Sequence, residues 1–183
     1  TIRDGFAHID FDSKTVDPIE LPEADIENNR FNDGKVDAQG RYWAGTMDTK
    51  QTSESGVLYR LDADMSLQTM DEDYIITNGP TFSKDGSIIY HTDTTKRTIY
   101  AFDLSSSGDI SNKRIFTQFQ TEDEGSPDGM TVDSEDCIWV AHFGGSRITR
   151  YSPQGEILQV IPMPVPNITS CTFAGDSLDT MYI

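Results

Sequence analysis

The sequence predicts an all-β chain built from repeated four-stranded sheets, and three observations carry that reading. Helical periodicity is hard to find anywhere along the 183 residues. Short alternating runs rich in Val, Ile, Tyr, Phe and Thr recur instead between turns of Gly, Asp, Asn and Ser. A unit also repeats: NDGKVDAQGRYWAGTM from residue 32, NGPTFSKDGSIIYHTDT from 78, DGMTVDSEDCIWVAHFGG from 128 and TSCTFAGDSLDTMYI from 169 share one phase.

Each unit starts at a polar residue, has a Val or Phe four residues later (Val36, Phe82, Val132, Phe173), then a tight acidic or glycine turn and an aromatic or aliphatic strand. That is a β-hairpin. A second hairpin follows the first three units: GVLYRLDADMSLQTM from 56, RTIYAFDLSSSGDISNKRIF from 97 and SRITRYSPQGEILQVI from 146. The opening FAHIDFDSKTVDPIEL reads as the same second hairpin from a unit whose first half is absent. Two hairpins make a four-stranded sheet, and the units are offset by 46, 50 and 41 residues. Radial repetition of four-stranded sheets at this spacing predicts a β-propeller. A parallel β-helix would repeat at much shorter intervals, and a sandwich would not repeat.

Residues 1–183 are therefore expected to form a single β-propeller domain, incomplete at both ends. They hold two complete blades, most of a third around 128–168, and partial blades at each end, ~4 blades at roughly 45 residues each. A closed four-bladed ring and a piece of a larger propeller both satisfy that arithmetic, and the piece is the reading we favour. An open ring would expose strand edges and apolar blade faces, through which the chain could self-associate.

The composition, 36% hydrophobic and 25% charged, is that of an ordinary globular domain. A net charge of −17 argues against nucleic acid or anionic lipid as a partner, since both need a basic footprint. No apolar run approaches a membrane span and no signal-like segment opens the chain, so no membrane partner is expected and a cytoplasmic location is. Cys137 and Cys171 lie in strand-like apolar surroundings with no metal-site spacing, and two buried free thiols are expected.

The phase of the repeat singles out Asn32, Asn78, Asp128 and Thr169 as equivalent first positions. In a propeller such positions share height and radius, and the loops entering the inner strands converge on the central channel. Amide and carboxylate oxygens gathered there suit a hard divalent cation, Ca²⁺ above all, with Mg²⁺, Mn²⁺ or Zn²⁺ as further candidates. No His or Cys shares the position, which weighs against a dedicated zinc or copper site. The competing explanation is local: Asn-Gly and Asp-Gly are common turn dipeptides whose side chains bond their own backbone. On that view NNRFNDG is simply a turn.

The stretches RFNDGKVDAQGRYWAGTM at 30–47, ITNGPTFSKDG at 76–86, SPDGMTVDSEDCIWVAHFGG at 126–145 and ITSCTFAG at 168–175 resemble the regucalcin (senescence marker protein), gluconolactonase and luciferin-regenerating enzyme family. The resemblance covers nearly the whole chain. It implies a six-bladed propeller with one divalent metal on the axis and, in many members, hydrolysis of sugar lactones. Matched position by position, it implies Asn78 and Asp128 as metal ligands, Asp128 also as the catalytic group that directs water, and Arg30 and Asn32 as substrate-binding residues. The family's Glu ligand, in a GE(S/G)P motif, has no counterpart here. A further acidic substrate contact falls near Lys50, with Asp48 close by.

Three functions are compatible with these residues: a metal-dependent sugar lactone hydrolase, a calcium-binding module without turnover, and a protein-binding scaffold whose channel residues brace turns. Trp43 and Trp139 occupy equivalent repeat positions and are expected in the core. His142 is expected to be structural, His8 and His91 have no matching partners, and no Ser-His-Asp spacing involves Ser126 or Ser170.

Overall fold

The computed structural model describes Thr1–Ile183 and contains sixteen strands. They form three four-stranded antiparallel sheets and two two-stranded ones, the blade unit of a β-propeller. The strands are β1 (Phe6–Asp10), β2 (Thr15–Glu20), β3 (Asn29–Val36), β4 (Tyr42–Asp48), β5 (Gly56–Leu61), β6 (Leu67–Tyr74), β7 (Thr77–Phe82) and β8 (Ile88–Asp93). They continue as β9 (Thr98–Leu104), β10 (Ile110–Gln118), β11 (Ser126–Val132), β12 (Ile138–Phe143), β13 (Arg147–Tyr151), β14 (Ile157–Pro162), β15 (Thr172–Ala174) and β16 (Thr180–Tyr182). Every expected hairpin is present. The third repeat, expected to be most of a blade, is a complete sheet β11-β12-β13-β14.

Two compact units divide the chain after Thr77. In the first, 1–77, the β1-β2 pair packs on the β3–β6 sheet through Phe6, Phe31, Ala44, Tyr59 and Leu61. Phe6 meets Phe31 edge-on at 4.9 Å and Tyr42 at 5.7 Å between ring centroids. In the second, 78–183, strand β12 shows how the pleat builds the core. Ile138 and Val140 join Tyr90, Ile99 and Met130 in one cluster, while Trp139 and Ala141 join Ile148, Ile168 and Cys171 in another. Alternate residues thus face opposite neighbours, and because both faces are covered, the strand reads as a continuous apolar run. Both cysteines are buried free thiols, as expected.

The β3–β4 and β11–β12 turns carry a repeated brace. Asp37 accepts from Trp43 Nε1 at 2.9 Å and Arg41 Nε at 2.6 Å. Asp133 accepts from Trp139 Nε1 at 2.9 Å and Arg150 Nε at 2.7 Å. Trp43 is fully buried and Trp139 nearly so, and Arg60 and Arg150 lie over the respective indoles at 5.8 Å. Each indole N–H has an acceptor, which is what allows these rings inside a core.

Candidate functional site

Asn32 is not in a turn. The NDG stretch lies inside β3, where pairing passes from Phe31↔Thr46 to Gly34↔Ala44, so one strand carries an extra residue. The same irregularity recurs in β11, between Pro127↔His142 and Met130↔Val140. Both are β-bulges, and they fall on Asn32-Asp33 and Asp128-Gly129. The Gly and Asx residues that suggested a turn serve a bulge, which re-aims a side chain without ending the strand. Gly129 is required there: a Cβ would come within 2.7 Å of the Thr169 carbonyl oxygen.

Within the first unit, Arg30 and Asn32 flank the buried Phe31 on β3, which places them on the opposite face of the strand. Arg30 is exposed, donates to the carbonyl of Phe31 at 2.8 Å and makes no ion pair, so most of its guanidinium remains available. Asn32 donates through Nδ2 to the Thr77 carbonyl at 2.8 Å. Asp48 has a different role from the substrate contact considered for it. Its carboxylate accepts from the backbone N–H groups of Lys50, Thr52 and Ser53 at 3.0, 2.9 and 2.8 Å. Those bonds, Thr52 first, hold it below the usual carboxylate range and tie it to its own loop. Lys50 is exposed.

Glu23 has no motif or repeat position that singles it out among the acids of the chain. It is fully buried and accepts from Asn29 Nδ2 at 2.6 Å, Tyr59 hydroxyl at 2.7 Å and Thr46 hydroxyl at 3.4 Å. Burial and this carboxylate push the Tyr59 phenol upward. The network anchors the start of β3, one residue before Arg30.

Within the second unit, Asn78 on β7 is buried and Asp128 on β11 is half-buried. Thr94, just past β8, joins them. Asn78 Nδ2 donates to Thr94 Oγ1 at 2.8 Å, and Thr94 Oγ1 donates to the Pro127 carbonyl at 2.8 Å. On the other side of Asp128, Gly129 N donates to the Thr169 carbonyl at 2.9 Å. Thr169 therefore enters through its backbone, and its side chain is exposed. Thr94 was missed in the sequence, although it follows Asp48 by the same 46 residues that separate Asn78 from Asn32.

Two of the three histidines are buried. His142 stacks on Phe119 at 4.3 Å, bonds the Glu124 carbonyl through Nδ1 at 2.7 Å, and burial lowers its pKa to about 4. His91 is fully buried, and desolvation lowers it to about 3. Neither Ser126 nor Ser170 bonds a histidine, so no nucleophilic triad is assembled. No group of three His, Cys, Asp or Glu side chains gathers anywhere. Asn78 and Asp128 offer oxygen donors only, which fits a hard divalent cation in kind and leaves further coordination positions to water or substrate. No helix is long and apolar enough to cross a membrane.

A 6-deoxy-6-sulfogluconolactonase of Pseudomonas putida is 35% identical over 182 residues, covering 100% of this chain and 62% of the relative. The structure of a luciferin-regenerating enzyme superposes with a TM-score of 0.92 at 34% identity, covering 98% of this chain and 62% of the other. A calcium-binding protein, regucalcin, of Agrobacterium tumefaciens superposes with a TM-score of 0.89 at 27% identity, covering 97% and 60%. The chain thus spans about three fifths of the length of these relatives. The family described as SMP-30/Gluconolactonase/LRE-like region matches residues 1–183 throughout, and the chain belongs to that family.

Proposed function

We propose that this chain carries part of the machinery of a divalent-metal-dependent sugar lactone hydrolase. The observation that carries the reading is the Asn78–Thr94–Pro127 chain of hydrogen bonds, which ties a buried amide on β7 to the residue preceding Asp128 on β11. Lactonase relatives supply the substrate class, and the calcium-binding regucalcin supports Ca²⁺ as the cation. Asn78 and Asp128 would hold it. A divalent cation at this place supplies Lewis acidity to the lactone carbonyl.

The chain's own groups do the rest. Asp128 orients a water and accepts its proton as the water oxygen bonds to the carbonyl carbon. The ring C–O bond then breaks, and its oxygen takes the proton that Asp128 had accepted, leaving the open hydroxy acid and a restored Asp128 carboxylate. Arg30 presents a planar fork of N–H donors to substrate oxygens, and Asn32 adds an amide whose orientation Thr77 fixes.

The test is Ca²⁺ titration followed by a gluconolactone hydrolysis assay on the parent, Asp128→Ala and Asn78→Ala. Loss of Ca²⁺ binding and of turnover in both variants is the expected result. Ca²⁺ affinity equal to the parent in both variants ends the metal reading. Because the chain carries part of the machinery, weak turnover is expected of the parent, and turnover equal to that of a full-length relative would overturn that view; Ca²⁺ binding with no turnover of any sugar lactone favours the calcium-binding module.

A further inference from the structure

We propose that Thr94 is a positioning residue for cation binding: its hydroxyl fixes which end of the Asn78 amide faces the site. The inference rests on the reading above, in which Asn78 and Asp128 ligate a divalent cation. It adds a residue that touches no cation.

The argument is a count of protons. A threonine hydroxyl has one hydrogen to give. The Pro127 carbonyl can only accept, and it lies 2.8 Å from Thr94 Oγ1, so the hydroxyl proton is committed to it. Toward Asn78, also 2.8 Å away, Thr94 Oγ1 can then act only as an acceptor. The group that faces it must be the amide NH₂. A flipped amide would set Oδ1 against an oxygen with no proton left, placing two acceptors at hydrogen-bond distance. Oδ1 is therefore turned to the side away from Thr94, and oxygen rather than nitrogen is the atom a cation can use.

The surroundings make this choice firm. Asn78 is 6% exposed, so little water competes for its amide, and an unmade bond in such a place costs more than a made one gains. Asp128 is held from both sides in turn, by Thr94 on the Pro127 carbonyl and by Gly129 N–H on the Thr169 carbonyl. One hydroxyl thus coordinates the orientation of a ligand on β7 with the backbone that carries a ligand on β11. Outer residues that orient metal ligands in this way typically change metal affinity by 10–100-fold when removed.

The experiment is calorimetric Ca²⁺ titration of the parent, Thr94→Val, Thr94→Ser, Asn78→Ala and the double variant Asn78→Ala/Thr94→Val. Side-chain amide exchange of Asn78 is followed by NMR in the parent, Thr94→Val and Thr94→Ser. Thr94→Val, which keeps the shape and loses the hydroxyl, is expected to weaken Ca²⁺ binding ~10-fold, and Thr94→Ser to restore it to within about twofold. Measured against the residual Ca²⁺ affinity of Asn78→Ala, Thr94→Val should cost less than it does in the parent, because the amide orientation it controls has gone and only its hold on the Pro127 carbonyl remains. The Asn78 amide should exchange slowly in the parent and in Thr94→Ser, and faster in Thr94→Val.

Parental affinity in Thr94→Val beside lost affinity in Asn78→Ala overturns the role of Thr94 and leaves the metal reading standing. An equal loss from Thr94→Val in both backgrounds reduces Thr94 to a structural residue and overturns the proposal. Parental affinity in Asn78→Ala overturns the metal reading and this inference with it. Should Thr94→Val fail to fold, a rapidly exchanging Asn78 amide in the parent still refutes the bond on which the inference depends.

Discussion

Asp128 and Asp133 belong to one hairpin, yet their surroundings differ in kind. Asp133, at the turn, is satisfied within its own sheet: Trp139 Nε1, Arg150 Nε and the backbone N–H groups of Glu135 and Cys137 all donate to it. Asp128, at the bulge, sits between two residues whose backbone groups bond outside the sheet, to Thr94 and to Thr169. The first acid closes a blade on itself. The second is held where sheets meet, the sort of place from which a propeller builds a binding site. Position in the repeat, rather than acidity, separates a brace from a candidate ligand.

Removing the brace should have the largest effect on stability. Asp133→Ala leaves a largely buried indole N–H and guanidinium short of an acceptor and is expected to destabilise the fold by about 2–3 kcal/mol. Urea denaturation measures it. A change below about 0.5 kcal/mol, the usual range for surface substitutions, would erase the distinction drawn here.

Acid should weaken the braces next. Burial alone would raise Asp133, but the Arg150, Trp139 and backbone bonds outweigh it and hold the carboxyl below its ordinary 3.8; Asp37 behaves likewise through Trp43 and Arg41. With folded values below the unfolded one, their contribution is present above about pH 4 and is lost as pH falls from there through the folded values. Asp93, raised by burial, runs the other way. Thermal melts between neutral pH and pH 3 should therefore show a decline concentrated below about pH 4, and a shallower one in Asp133→Asn.

Asp128→Asn should have the smallest effect on stability, within about 0.5 kcal/mol in the same urea experiment, because the amide preserves shape and one oxygen. Its Ca²⁺ affinity should nonetheless fall. A loss of stability as large as that of Asp133→Ala would make Asp128 another brace.

Much of this was legible in the sequence because strand periodicity and the repeat act over short distances. Trp43 and Trp139 declared themselves by equivalent positions, and the hairpins by their turns. The NDG stretch misled because turns and bulges both draw on Asx and Gly, and only the cross-strand register tells them apart. Thr94 was invisible because its meaning depends on the Pro127 carbonyl, 33 residues away. Glu23 was hidden for the same reason, being one acid among 31 acidic residues until Tyr59, Thr46 and Asn29 are seen to surround it. The third blade looked incomplete in sequence because β14 runs directly into the proline-rich stretch at 162–166.

The extra residue in β3 works like an insertion that is absorbed where it occurs, because the pairs on either side of it keep one face. Deleting Asp33 would restore one-for-one pairing with β4, leaving Phe31 opposite Thr46 and Gly34 opposite Ala44, so that every residue upstream to Asn29 keeps its side. Phe31 would remain in the aromatic cluster beside Ala44, and the change would fall on Asn32, whose side chain the bulge aims. Core and candidate site are thus separable at this point, so that a single-codon loss there would spare the first and disturb the second.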